Sequence, residues 1–210
     1  MASTAVRSPI NKRLGRPEGR ESSQTRALVI QAARSCFVEN GYGGTTLKSV
    51  ATRADITPAA IYRYFSSKPV LYAAVFEEVV DGLLAVYRQA LVAEGSFKDK
   101  LRMILSAATE LHEQEGDATA ILATIPIELK RYPELGELLV EGRHQLNEVM
   151  KALFQQAVDS GEFPKGYSAD DLLLTFIGGG MGIALFQYGS GIGSMQRSTE
   201  LLLELVERLY

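Results

Sequence analysis

Residues 41–72 read GYGGTTLKSVATRADITPAAIYRYFSSKPVLY. The run Gly41, Tyr42, Gly43, Gly44 forces a tight loop, after which Thr46 is placed to cap a helix whose inner face is Leu47, Val50, Ala51 and Ala54. Asp55 and Ile56 interrupt that helix after barely two turns. Thr57 is a good second cap and Pro58 a good first helical residue, because the N–H that proline lacks has no intrahelical partner there anyway. The spacing predicts a third helix over residues 58–64, anchored inward by Ile61 and Phe65. Two short helices across a tight joint form the helix-turn-helix pattern.

Upstream, Val29, Ile30, Ala33, Cys36 and Phe37 make one apolar stripe at helical spacing, so a first helix runs from about Thr25 to Asn40, with Gly41 free to take a left-handed position after it. Downstream, Ser66, Ser67, Lys68 and Pro69 punctuate the chain and open a long helix through Leu71, Val75, Val79 and Leu83 to about Glu94. The apolar rhythm resumes over 97–112, 118–130 and 134–160, with breaks at Gly116, Pro133 and residues 161–164. Two last helices, 168–187 and 198–210, flank the loop at 189–193. No stretch alternates as a strand does, so the expected fold class is all-α. The expected organisation is a flexible basic N-terminal arm over 1–24, a three-helix helix-turn-helix domain over 25–70 and a helical bundle over 71–210.

Charge divides the chain unevenly. The first 70 residues hold 11 Lys and Arg against 4 Asp and Glu, which leaves 11 against 21 for the other 140 and a net charge of -3 for the whole. A basic head joined to an acidic body suits a phosphate-attracting module on a body that DNA does not touch; a basic tail beside an ordinary solvated surface gives the same count. Cys36 is the one cysteine, so no intrachain disulfide can form, and its apolar surroundings place it in the core. No apolar run reaches the length of a membrane span or a secretory signal, and the expected location is the cytoplasm with no membrane partner.

The stretch at 41–72, extended upstream by TRALVIQAARSCFVENGY from Thr25, resembles the DNA-binding signature of the TetR family of transcription regulators. The resemblance covers close to a quarter of the chain. It implies that the helix at 58–64 enters the major groove, where the short side chains Thr57, Pro58, Ala59 and Ala60 allow close approach. Thr57 can reach a phosphate or base edge, and the alanine methyls and Pro58 can pack on thymine methyls. Tyr62 and Tyr64 project where a phenol meets phosphate, and Arg63 between them is the candidate for a guanine contact or a solvated arginine. Lys68 matches a lysine that commonly holds phosphate. Thr46 and Lys48 match positions that meet the DNA backbone, although Lys48 also suits a free surface charge. Asp55 and Ala59 stand where the family often has Gly; Asp tolerates a left-handed backbone better than most residues. The basic run at 11–20 resembles an arm that reaches a minor groove, or a tail that adds only nonspecific attraction.

For the body, the resemblance implies a homodimer through the last two helices, paired as a four-helix bundle, and an unknown small-molecule effector in a pocket, with no cofactor. Gly178, Gly179, Gly180 and Gly182 fit close approach of a second helix, or simply a break in one. Met103, Leu111, His112, Ile125, Phe154, Phe176 and Phe186 are candidate pocket residues, each of which suits a core position equally in sequence. His112 and His144 have no partners at metal-ligand spacing. The expected function is a DNA-binding regulator, a repressor released from a palindromic operator when the ligand favours a conformer with the wrong head spacing. A constitutive architectural DNA-binding protein shares the basic head but needs no such body. An enzyme is disfavoured, because no nucleophile elbow, HExxH helix, phosphate loop or carboxylate pair is present.

Overall fold

A computed structural model describes residues 18–114, 116–163 and 166–207, and all regular structure in it is helical. Helix α1 (Glu18–Gly44) is followed by α2 (Leu47–Arg53), α3 (Pro58–Ile61) and α4 (Lys68–Val92). The body adds α5 (Phe97–Gln114), α6 (Gly116–Arg131), α7 (Leu135–Leu138), α8 (Val140–Asp159), α9 (Ala169–Ser190) and α10 (Met195–Glu207).

The spine is α4, capped by Ser67, whose hydroxyl accepts the Val70 N–H, and opened by Pro69 in its first turn. At 1.5 Å per residue it runs about 37 Å, long enough to belong to two cores. Its first half, Leu71 to Val80, packs with Val29, Ala33 and Phe37 of α1, Val50 and Ala51 of α2, Ile61, and Ile121 and Ile125 of α6. Its second half, with Tyr87 and Ala90, packs with Phe97, Leu101 and Ile104 of α5 and Met150, Leu153 and Phe154 of α8. The basic head and the body therefore share one continuous helix.

Several boundaries differ from expectation. Helix α1 starts at Glu18, inside the stretch expected to be flexible arm; Ser22, Ser23 and Gln24 are exposed, so no apolar period marks that turn. The basic residues before Glu18 and the last residues, 208–210, lie outside the described residues. Gly41 has the expected positive φ of 67°, but its ψ of 171° is extended rather than left-handed helical, a region open to little but glycine. The third helix ends at Ile61 and continues as turns to Tyr64. The single helix expected over 134–160 is split at Leu139, and the last helix begins at Met195, where Ser194 Oγ accepts the Arg197 N–H at 3.4 Å.

Candidate nucleic-acid interface and internal cavity

The helix-turn-helix is fixed by side-chain caps. Thr46 Oγ1 accepts the Ser49 N–H at 3.0 Å, and Ser49 Oγ accepts the Thr46 N–H at 3.1 Å. Asp55 takes a φ of 54°, the one positive value outside glycine among the described residues, and Ile56 closes the joint by donating to Ala51 O at 3.0 Å. Thr57 Oγ1 then accepts the Ala60 N–H at 3.2 Å and opens α3. Arg53 Nη2 meets both carboxylate oxygens of Glu39 at 2.8 Å, which pins α2 to α1.

This frame leaves Lys48, Thr57, Pro58, Ala59, Tyr62 and Arg63 exposed, with Thr46 at the head of α2 also in solvent. Ala60 and Tyr64 are half-buried, and Tyr64 packs on the core. Two assignments change in character. The Thr57 hydroxyl accepts from its own helix and keeps its proton to donate to a phosphate or base acceptor. Lys68 does not project freely: its Nζ donates to Tyr42 O at 2.8 Å and lies 4.3 Å from the centre of the Tyr42 ring. It staples the start of α4 to the loop before α2 and keeps two protons for a phosphate.

The same loop touches the body. Glu128 Oε1 in α6 accepts the Tyr42 N–H at 3.4 Å, and the rings of Tyr42 and Tyr132 lie 4.7 Å apart. A Cβ on Gly43 would meet the Tyr132 hydroxyl, so a larger residue there would push that ring aside. At the other end of α6, Ser35 Oγ of α1 donates to Asp117 Oδ2 at 2.6 Å.

Between these contacts α6 turns its other face to a cavity of about 280 Å³. Thr119, Leu122, Ile125 and Pro126 of α6 line it, with Phe76, Leu83 and Tyr87 of α4 opposite. Arg143, Leu146, Asn147 and Met150 of α8 form a further wall, and α5, α9 and α10 complete it. The lining is apolar apart from a few groups, as small-molecule sites generally are.

Residues 29–75 match the family described as bacterial regulatory proteins, tetR family. The HTH-type transcriptional regulator UidR of Escherichia coli K12 is 29% identical over 143 residues, 68% of this chain and 70% of its own. The HTH-type transcriptional repressor KstR2 of Mycolicibacterium smegmatis is 27% identical over 159 residues, 75% of this chain and 76% of its own. Among solved structures, the transcriptional regulator FadR from Bacillus subtilis in complex with stearoyl-CoA superposes with a TM-score of 0.74 at 18% identity, covering 88% of this chain and 98% of that one.

Over residues 29–75 the chain carries the DNA-binding segment of the tetR family. It is a DNA-binding transcriptional regulator and not an enzyme, with the helix-turn-helix as its head.

Of the expected pocket residues, Leu111, Ile125 and Phe176 stand on the cavity wall, and four others lie off it. Phe154 is buried in the second core against Phe97, 5.1 Å between ring centres. Met103 packs into that core from α5, and His112 sits half-buried beyond the lining, its Nδ1 without a partner among the described residues. Phe186 points away from the body and is 73% exposed. The lining residues that sequence reading missed, Leu83 and Tyr87 on α4 and Leu146 and Met150 on α8, sit at core-like helical spacing and carry no signal that separates wall from core.

The outer face of α9 and α10 is apolar and bare. Leu174 is 76% exposed, and Leu185, Leu201 and Leu205 are exposed with it. A Cβ built on Gly178, Gly179, Gly180 or Gly182 meets no atom within 4 Å, so packing within the chain does not account for these glycines. The segment Ala169–Gln187 is long and apolar enough to cross a membrane by length and composition, and most of it is uncovered.

Proposed function

We propose that this regulator is a homodimeric repressor, seated on a palindromic operator through two helix-turn-helix heads and released when a small apolar effector enters the cavity. The observation that carries the reading is α6, which lines the cavity with Thr119, Leu122, Ile125 and Pro126 and grips the DNA head at both ends, through Asp117 and Glu128. A ligand that shifts α6 therefore shifts the heads, and the reciprocal loss of operator affinity follows by linkage. The proposed contacts are Thr46, Lys48, Thr57, Pro58, Ala59, Ala60, Tyr62, Arg63, Tyr64 and Lys68, and they act in the cytoplasm. The bare face of α9 and α10 supports the dimer, because an apolar patch of that extent marks an interaction surface and a twofold copy supplies helices of matching chemistry. That FadR from Bacillus subtilis was solved with stearoyl-CoA supports an apolar effector, and the name of KstR2 supports repression.

The test is a fluorescence anisotropy titration of the dimer on its operator against a broad panel of apolar metabolites. At least one should weaken binding by five- to 150-fold, roughly the range of allosteric coupling. Unchanged operator affinity across the panel would favour the constitutive architectural reading instead.

A further inference from the structure

The shape and polarity of the cavity narrow the effector further, on the reading that this cavity is the effector site. Phe76 and Tyr87 both reach it from α4, so it extends roughly 16 Å along that helix at the α-helical rise. Its volume is about 280 Å³. At about 30 Å³ for a water-sized group, the space holds on the order of ten heavy atoms, well short of a stearoyl tail.

One end of this cavity is charged. Arg143 and Asn147 lie one turn apart on α8 and line it together. A Cβ on Gly142, next to Arg143, would stand 3.1 Å from the Phe76 ring, which places the pair at the Phe76 end. Arg143 is exposed, and among the described residues no ion pair or side-chain hydrogen bond occupies its guanidinium. Among the described residues no Asp or Glu lines the cavity; the other polar groups on its wall are Thr119, Thr199 and the phenol of Tyr87 at the far end. Burial pushes Tyr87 up to about 12, so that end stays neutral. A permanently charged arginine beside an apolar cavity is complementary to an amphipath with its anion at the rim.

We propose that the cavity takes an apolar monoanion of on the order of ten heavy atoms, its carboxylate held by Arg143 with the Asn147 amide as second donor and its apolar part running along α4 toward Tyr87.

Isothermal titration calorimetry of the dimer with n-decanoate and n-decanol, on the wild type, Arg143→Gln, Arg143→Lys and Met150→Trp, tests this. Decanoate should bind the wild type about tenfold tighter than decanol, the lower range for one hydrogen bond to a charged group at an exposed rim. Arg143→Gln should abolish that preference, Arg143→Lys should keep part of it, and Met150→Trp should weaken both probes by filling the cavity. Equal binding of the two probes, a preference undiminished in Arg143→Gln, or binding of neither would overturn the assignment. Operator release separates the two levels. Decanol that binds as well as decanoate and releases DNA rejects the anion while the effector reading stands; decanoate that binds as described without loosening DNA keeps the cavity assignment and removes the effector reading.

Discussion

The hydroxyl of Ser35 in α1 donates to Asp117 Oδ2 in α6 at 2.6 Å, which ties the DNA head to the helix that walls the cavity. Glu128 and Tyr42 repeat the link at the far end of α6, at the weaker distance of 3.4 Å. If α6 carries the signal, cutting the stronger link loosens communication more than it loosens the fold. Ser35→Ala should shrink the fall in operator affinity caused by effector by about 0.5–2 kcal/mol, the range for positions along a coupling network. Operator titrations with and without effector check this; unchanged coupling would mean that the signal bypasses Asp117.

Tyr72 is 1% exposed, its ring edge-on to Phe37 and Tyr42, and its hydroxyl has no hydrogen-bond partner among the described residues. Tyr72→Phe keeps the rings and removes the stranded polar group, so it should stabilise the protein by about 1 kcal/mol and raise Tm by roughly 2–4 °C. A lower Tm at neutral pH would contradict this.

Burial also pushes the phenols up: Tyr42 and Tyr87 to about 12, Tyr72 further, each from an ordinary value of 10.0. A folded-state pKa above the unfolded one contributes stability that is full below pH 10 and is lost as pH rises through the folded value. Thermal melts should therefore fall steeply between pH 10 and about 12, and the fall should be shallower in Tyr72→Phe. A flat profile across that window would show that these phenols are not buried in solution.

Lys48 and Lys68 are both proposed phosphate ligands, but their settings differ. Lys48 is exposed, so Lys48→Ala should leave Tm unchanged while lowering the salt dependence of binding by roughly one unit per head. Lys68 also holds the Tyr42 carbonyl and ring, so Lys68→Ala should weaken binding to specific and unrelated DNA alike and also cost about 1 kcal/mol of stability. Arg63→Ala should mainly relax sequence preference. Affinity and salt slope left intact in Lys68→Ala would misplace the start of α4 relative to DNA.

Leu174 on the bare face of α9 tests the dimer. Leu174→Glu would bring like charges together across a twofold contact, yielding monomer by sedimentation and a loss of operator affinity of roughly 10²–10⁴, the value of linked binding. A dimer that survives the substitution would move the interface elsewhere.

The head was more legible than the body. Thr46, Asp55, Thr57 and Pro58 each act through local backbone chemistry, so their caps and the left-handed joint can be read from neighbours in sequence. The all-α fold follows equally from the period of the apolar residues. The cavity was not legible, because a wall residue and a core residue obey the same period: Phe154 and Phe176 lie 5.5 Å apart, yet only Phe176 faces the space. Phe186 misled for the opposite reason: it lies on the bare apolar face proposed for the dimer, with little intrachain contact to reveal it. The commitment of Lys68 to Tyr42, 26 positions away, depends on tertiary structure alone.

The most direct measurement is selection of bound sequences from a random duplex pool by the purified protein. An enriched inverted repeat whose half-sites sit one helical turn apart, roughly 34–36 Å, is what two heads joined through α9 and α10 predict. Enrichment of a lone half-site, or of no motif at all, would contradict a dimeric sequence-specific regulator.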